Sequence, residues 1–202
     1  MGSGAVSERS DPERFLEVLA RTVEALDAWG RPYAVFGTVG TNAYLDEEPA
    51  EDIDVFVDEA DAPGAVDALV AAGFDAGERD EAWIFKAHRD GVLIDVIFRV
   101  RDGLGFDPAF AADARRVSYH GVEVPVPMPE DLVVIAACSA HAQSPKHWFT
   151  ALRLVAKAGL DWDRMVERGR TLAPLRVASL LLYVRADGVD VPEDVVAALL
   201  PH

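Results

Sequence analysis

The sequence predicts an α+β fold, in which a sheet backed by helices is followed by a helical C-terminal region. Strand and helix patterns both occur before residue 128, but they do not alternate strictly as a doubly wound fold requires. After Pro129 the strand patterns stop and only helical patterns remain. Half of the 202 residues are hydrophobic, which is enough for a full core.

The first helix is predicted by its start, its periodicity and its end. Ser10 is the expected N-cap, and Glu13 completes a capping box three residues later. Apolar residues then recur at helical spacing as far as Trp29, and Gly30-Arg31-Pro32 ends the helix. The patterns that follow predict a strand at 33–36, a short helix at about 38–45, an acidic loop at 46–51, a strand at 53–57 and a helix at 61–72.

Two hairpins are predicted between this segment and the helical region. Arg89-Asp90-Gly91 is a hairpin turn between two apolar strands, and His120-Gly121 is the turn of a second hairpin. The strands of the first hairpin, a short helix and the whole second hairpin are expected at 82–88, 92–100, 107–114 and 117–126.

The remainder of the chain is predicted to be helical. Helical periodicity places helices at about 130–142, 146–158, 161–172, 175–186 and 192–200. The break at Pro127-Met128-Pro129 is the best boundary between domains. We therefore expect an α+β domain at 10–128 and a helical domain at 129–202.

Charge and composition argue against several classes of partner. The chain has 35 acidic and 19 basic residues and a formal net charge of −16, with only local basic clusters. Proteins that bind nucleic acid through its phosphates need a basic face, so we expect no DNA binding and do not expect tRNA as the substrate. No apolar run approaches the roughly 20 residues of a membrane span, and the N-terminus lacks an apolar signal core. These features predict a cytoplasmic protein without a membrane partner.

The most informative feature is a pair of acids at the start of a predicted strand. Asp52 and Asp54 are two residues apart, and such residues point to the same face of a strand. Two carboxylates held side by side repel each other unless a cation lies between them. Carboxylates, often together with substrate phosphates, are the ligands that Mg²⁺ prefers. The pair therefore predicts a site for Mg²⁺ (or Mn²⁺).

The stretch from Tyr33 to Val57 resembles the signature of the polymerase-β-type nucleotidyltransferases. An apolar strand is followed by Gly37 and a hydroxyl residue, a spacer, and an acid-apolar-acid-apolar sequence that begins at Asp52. The helical second half resembles the small uncharacterised or aminoglycoside-type families of that superfamily. The resemblance implies a nucleotidyltransferase-like mixed sheet, a divalent metal and a nucleoside triphosphate as co-substrate. It also implies a third carboxylate on a later strand, for which Asp95 is the candidate.

The resemblance gives each acid a catalytic role. Asp52 and Asp54 would ligate the metal ions. Asp95 would hold the catalytic metal and could accept the proton of the attacking hydroxyl. Two metals about 3.5–4 Å apart can clamp the attacking and leaving oxygens of such a transfer.

Four more residues are expected to bind the nucleotide. Gly37 and Thr38 lie where a strand turns into a helix, so backbone N–H groups there attract an anion. They would hold the triphosphate, with the Thr38 hydroxyl on a β- or γ-phosphate oxygen. Asn42, one helical turn further on, would line the same pocket. Lys146, at the start of a helix in the second half, would contact phosphate.

The expected acceptor is a small hydroxylated molecule, such as an aminoglycoside-like antibiotic or a biosynthetic intermediate. Acidic surroundings favour a cationic molecule. We expect it to enter between the acids and the helical half, near Lys146 and Trp148, because pockets favour domain interfaces. The 3′ end of a tRNA or a protein hydroxyl, as in toxin-like relatives, is the alternative.

Simpler structural interpretations exist for these residues. Asp52 and Asp54 fit a solvated strand end, and Asp95 fits an edge-strand acid that faces water. Gly37 and Thr38 fit a tight turn in which the threonine caps a helix. Three tryptophans are best explained as core residues, and the lone cysteine as a buried, inert thiol: Trp83, Trp148, Trp162 and Cys138.

Three other functions fit parts of the same segment. Gly37 and Gly40 weakly resemble a dinucleotide-binding turn, but the G-x-G-x-x-G pattern is incomplete. In phosphatases with a D-x-D nucleophile, the two acids come at the end of a long apolar strand. Here the apolar run follows the acids, which disfavours a phosphatase. Many relatives carry Arg and Thr where this chain has Glu48 and Ala50. That departure keeps open a non-catalytic protein of the same fold that binds nucleotide or a partner.

Overall fold

A computed structural model of the chain describes residues 11–45, 49–100 and 103–200. In the first half the elements are α1 (Pro12–Trp29), β1 (Tyr33–Val35), α2 (Gly37–Thr41), β2 (Asp52–Val57), α3 (Ala62–Ala71), β3 (Asp75–Asp80), β4 (Ile84–Arg89), β5 (Val92–Ile97), α4 (Ala109–Ala112), β6 (Arg115–Tyr119) and β7 (Val122–Val126). In the second half they are α5 (Pro129–Ser139), α6 (Lys146–Lys157), α7 (Trp162–Leu172), α8 (Pro174–Ala186) and α9 (Glu193–Leu199).

The seven strands of the described residues form one five-stranded mixed sheet and one separate hairpin. The large sheet has the strand order β1-β2-β5-β4-β3, and β6 pairs with β7 separately. β2 and β5 run parallel, whereas β1, β4 and β3 join the sheet antiparallel. This arrangement confirms the predicted α+β fold, with a mixed sheet followed by a helical region.

A continuous hydrophobic cluster joins the sheet to the helices. Its members run from Phe15 in α1 to Leu199 in α9, so it extends across residue 128. Phe56 of β2 is fully buried and lies against Phe36, Phe106 and Phe110, with ring centroids 5.3 to 5.6 Å apart. The division into domains at 10–128 and 129–202 stays a prediction.

β3 is the element that the sequence did not reveal. Its residues, Asp75–Asp80, carry no alternating apolar pattern, and most of them are exposed. β3 lies at the edge of the sheet, where a strand needs no buried face, and charged side chains there discourage pairing with other chains. Hydrophobic periodicity cannot detect such a strand.

Several boundaries differ from the predicted ones. The N-cap of α1 is Asp11, whose side chain accepts a hydrogen bond from the Glu13 N–H; the predicted cap Ser10 lies outside the described residues. The short helix predicted at 38–45 covers Gly37–Thr41 only. Residues 46–48 of the predicted acidic loop, including Glu48, also lie outside the description. Among the described residues, none of the helices is long and apolar enough to cross a membrane.

A buried ion network ties the helical half together. Asp131, in the first turn of α5, is fully buried and accepts hydrogen bonds from Arg164 and Arg168 of α7. The network reaches the segment around α4, because Arg164 pairs with Asp113 at 3.0 Å and Arg168 with Asp107 at 3.5 Å. Charges without water must be paired to be tolerated, so these contacts fix how α5, α7 and the 107–113 segment pack.

Asp131→Asn should therefore destabilise the fold strongly. Removing one partner of a buried pair leaves uncompensated charge on the other, at a cost of about 3–5 kcal/mol. Urea unfolding followed by circular dichroism measures this. Glu59→Gln is the control, because its ion pair with Arg99 is largely exposed and such pairs contribute less than about 1 kcal/mol. Equal effects of the two substitutions would contradict a structural role for the network.

Candidate active site

Two neighbouring strands bring the three predicted acids together. Asp52 and Asp54 share one face of β2, and the parallel register places Asp95 of β5 directly beside Asp54. Carboxylate oxygens of the three residues all lie within 4.8 Å of one another, and each residue is half-buried. Asp95 is thus on an internal strand of the sheet, and its interpretation as an edge-strand acid is wrong. The catalytic and metal-binding roles of the three acids stay predictions.

Burial and neighbouring negative charge raise the pKa of two of these carboxylates, Asp52 and Asp54. Burial, followed by the charges of Asp52 and Asp95, raises the pKa of Asp54 from 3.8 to about 7. Burial and the charge of Asp95 also raise the pKa of Asp52. Two lysines act in the opposite direction: Lys146 lowers the pKa of both residues, and Lys86 lowers that of Asp54. The site therefore retains negative charge that a cation could neutralise.

The turn before α2 is built around the Asp54 carboxylate. Gly37 has a φ of 56°, in the left-handed region, and a Cβ atom placed there would lie 1.8 Å from Asp54 Oδ2. The Phe36 N–H donates to the Asp54 carbonyl at 3.0 Å, which ties the turn to β2. A Cβ atom on Gly40 would lie 2.8 Å from the Val35 carbonyl oxygen. Close packing therefore explains why glycine occupies both positions, without any role in phosphate binding.

Thr38 and Asn42 lie at opposite ends of α2. The N-cap of this helix is Phe36, so the interpretation of Thr38 as a capping residue is wrong. Thr38 is half-buried inside the first turn, and its carbonyl accepts a hydrogen bond from the Asn42 N–H at 3.1 Å. Asn42 is half-buried at the C-terminal end of the helix. Nucleotide binding by Gly37, Thr38 and Asn42 stays a prediction.

The start of α6 lies within electrostatic reach of the acids. Lys146 is the first residue of α6 and is exposed, and its charge lowers the pKa of Asp52 and of Asp54. The pKa of the neighbouring His147 is lowered, first by burial and then by Lys146. Its position leaves Lys146 available to a phosphate near the acids, but that contact stays a prediction.

Lys86 is a charged residue of the site that the sequence analysis missed. Its Nζ atom lies 2.8 Å from Asp95 Oδ1. A signal for this contact was present in the hairpin turn at Asp90-Gly91. Both turn residues have positive φ, as in the two-residue hairpins that fix register. The turn pairs Arg89 with Val92, and counting three residues back along each strand pairs Lys86 with Asp95.

The predicted core residues have mixed outcomes. Trp83 is wrong as a core residue, since it is 43% exposed and its indole N–H donates to Asp80 at 3.0 Å. It lies in the turn between the edge strand β3 and β4. Trp148 and Trp162 are partly buried and pack against the core. Cys138 is buried, as predicted.

The contact between Gly37 and Asp54 predicts a strong coupling between these positions. Gly37→Ala should destabilise the protein by more than the roughly 1–2 kcal/mol of a left-handed conformation, because the new methyl group meets the carboxylate. In an Asp54→Ala background, most of the destabilisation beyond the cost of the left-handed conformation should disappear. Gly91→Ala is the matched control, since Gly91 has a φ of 81° and open space around it. Thermal unfolding of the set measures the coupling, and equal costs in both backgrounds would contradict it.

The raised pKa of Asp54 predicts how stability depends on pH. Between pH 3.8 and about 7 the folded protein holds a proton that the unfolded chain has lost, so stability falls as pH rises through this range. Asp54→Asn removes the free-energy cost of ionising the Asp54 carboxyl in the folded protein. We expect the variant to be more stable than the wild type at pH 8 by about 1–2 kcal/mol, or about 2–8 °C in Tm, with the gain disappearing near pH 4.

This measurement is made with EDTA present so that no metal compensates the charge. Asp67→Asn is the control, since Asp67 is exposed on α3 and should show no such pH-dependent gain. A gain for Asp54→Asn that is constant from pH 4 to 8 would show that proton binding is not its cause.

Comparisons with known proteins identify the family and the fold of the chain. A family model described as "Uncharacterised nucleotidyltransferase" matches residues 17–187. No curated protein matches the chain. Two structures of the antibiotic-resistance factor ANT(2'')-Ia are similar in fold, one in solution and one in complex with adenylyl-2''-tobramycin.

The fold similarity covers most of each chain. The solution structure has a TM-score of 0.51 at 15% identity, over 88% of this chain and 95% of that one. The complex has a TM-score of 0.51 at 12% identity, over 87% and 99%. The lincomycin-bound lincosamide antibiotic adenylyltransferase LnuA is more distant, with a TM-score of 0.48 at 11% identity over 73% of this chain and 98% of that one. The chain thus belongs to this family of uncharacterised nucleotidyltransferases and has the polymerase-β-type nucleotidyltransferase fold.

Proposed function

We propose that this nucleotidyltransferase is metal-dependent and moves a nucleoside monophosphate from a nucleoside triphosphate to a hydroxyl group of a small molecule. Pyrophosphate is the second product. The observation that carries the proposal is the group of three carboxylates whose oxygens lie within 4.8 Å of one another beside the glycine turn. An intact set of three acids supports catalysis over a role limited to nucleotide binding.

The residues present fit Mg²⁺ or Mn²⁺. Asp52, Asp54 and Asp95 offer only oxygen ligands, which these hard cations prefer. Burial and the repulsion of Asp52 and Asp95 raise the pKa of Asp54, and a cation would relieve that repulsion. When bound, the metal neutralises charge on the phosphoryl oxygens and lowers the energy of the transition state.

Residues of the chain hold the triphosphate and move the proton. In our proposal, backbone N–H groups at Gly37 and Thr38 and the Asn42 side chain line the phosphate pocket, while Lys146 contacts a phosphate from α6. The acceptor oxygen attacks the α-phosphorus, and the bond from that phosphorus to the bridging oxygen breaks. Pyrophosphate leaves with the bonding electrons. Asp95 accepts the proton of the acceptor hydroxyl.

A small, cationic acceptor suits the charge of the protein. The net charge of −16 and the acids of the site attract cations and repel the phosphates of a polynucleotide. We propose that the acceptor lies between the sheet and a helical domain at 129–202, near Lys146 and Trp148, and that the enzyme acts in the cytoplasm. The structure of ANT(2'')-Ia with adenylyl-2''-tobramycin makes ATP and an aminoglycoside the first pair to test.

A transfer assay with mass-spectrometric detection tests the proposal. The four nucleoside triphosphates, with Mg²⁺ or Mn²⁺, are incubated with aminoglycosides, other small polyols, tRNA and protein. We expect a nucleoside monophosphate on a small molecule, pyrophosphate release, and loss of at least about 10²-fold in rate for Asp52→Asn, Asp54→Asn or Asp95→Asn. Each variant should keep its fold.

Asp67→Asn is again the matched control and should retain full activity. Near wild-type activity in any of the three site variants would contradict the metal-dependent mechanism. A nucleoside monophosphate found on tRNA or protein would contradict the small-molecule acceptor and support the toxin-like alternative. Nucleotide binding without any product would favour the non-catalytic alternative.

A further inference from the structure

Lys86 forms an ion pair with one member of the acid cluster. Its Nζ lies 2.8 Å from Asp95 Oδ1, and both side chains are largely shielded, with 25% of Lys86 and 14% of Asp95 exposed. The pair is fixed by the backbone, since β4 and β5 place the two residues directly opposite each other. The next residue across the sheet in the same row is Asp54. A lysine, a shared carboxylate and a second carboxylate thus lie side by side.

The lysine stem lies beside the edge strand of the sheet. A Cβ atom placed on Gly77 of the neighbouring strand β3 would lie 3.0 Å from the Lys86 Cβ and 2.6 Å from His88 Nε2. The absence of a side chain at Gly77 therefore lets the edge strand pass close to Lys86. On its other side Lys86 faces β5. Because only 25% of its side chain is exposed, Lys86 has less conformational freedom to lose on forming an ion pair than a fully exposed lysine has.

We propose that Lys86 is the resident counter-ion of the active site: it positions Asp95 in the metal-free enzyme and sets the affinity of the site for divalent metal. The inference rests on the proposed metal-dependent function. Asp95 has two oxygens, so it can keep Lys86 on one and offer the other to a cation. Lys86 also offsets one of the negative charges that would otherwise attract the metal. Lys86 is therefore a positioning residue that acts through Asp95, and its charge weakens metal binding.

The sign of the effect distinguishes this role from simple structural support. If Lys86 only held the site in shape, removing it would weaken metal binding. If its charge opposes the metal, removing it strengthens metal binding, because charges a few ångströms apart interact strongly in a partly buried site. Lys86→Met keeps the length of the stem and removes the charge. Lys86→Gln is a second neutral variant, and Lys86→Arg keeps the charge.

The experiment measures binding of Mn²⁺ alone to the full chain, by the loss of the free-ion electron paramagnetic resonance signal. We expect Lys86→Met and Lys86→Gln to bind Mn²⁺ about tenfold more tightly than the wild type, and Lys86→Arg to bind within about twofold of it. Lys157→Met is the matched control. It makes the same change in net charge at the far end of α6, on an exposed residue, and should leave the affinity unchanged.

A metal-free comparison tests the positioning role. In EDTA, Lys86→Met should lower Tm in the wild-type background but not in Asp95→Asn, where the ion pair is already absent. Equal or weaker Mn²⁺ binding by both neutral variants, with binding by the wild type intact, would overturn the inference and leave the proposed function standing. Absence of Mn²⁺ binding in the wild type and in all the variants would reject both. If the neutral variants bind Mn²⁺ more tightly but Lys86→Met changes Tm by the same amount in both backgrounds, only the positioning role is rejected.

Discussion

The parallel pairing of β2 with β5 is the interaction on which the site depends. Ile53 and Ile94 are paired across these strands and are fully buried, and so are Val55 and Val96. Side chains alternate between the two faces of a strand, so these apolar pairs fix the acids on the opposite face. A shift of one residue would bury the acids and expose the core residues, at a large cost in free energy. The core packing thus determines where the carboxylates lie.

The site then concentrates like charges at a cost to the fold. Asp54 is held against the Gly37 turn and between two other acids, and burial with their charges raises its pKa to about 7. Lysines on β4 and α6 offset part of the repulsion. The glycine is required by this crowding, because no other residue leaves room for the carboxylate in a left-handed turn. The residual repulsion makes the site suited to a cation.

α5 contacts α7 in the helical half and α2 beside the acids. Its first turn carries Asp131, which accepts hydrogen bonds from Arg164 and Arg168 of α7, and Leu132 lies 3.7 Å from a Cβ position on Gly40 of α2. α5 packs against α6, so it also sets where the first residue of α6, Lys146, lies. The first turn of α5 therefore links the buried ion network to α2 and α6, the two helices near the acid cluster.

The sequence by itself determined the α+β class, the helical second half and the acids of the site. These features are local: two acids at strand spacing, a glycine turn after an apolar run, and helical periodicity after Pro129. The hairpin turn also specified the register that places Lys86 opposite Asp95. The importance of that pair became clear only from the position of Asp95 beside the other acids in the sheet.

The tertiary structure alone decided the edge strand β3, the exposure of Trp83 and the contact between Gly37 and Asp54. β3 has no apolar pattern because most of its residues are exposed at the edge of the sheet, and Trp83 is 43% exposed in the turn that follows. The Gly37–Asp54 contact joins residues from two elements whose distance depends on how α2 packs against β2. Local patterns specify which element forms, whereas the burial and charge of its side chains depend on neighbours that are distant in sequence.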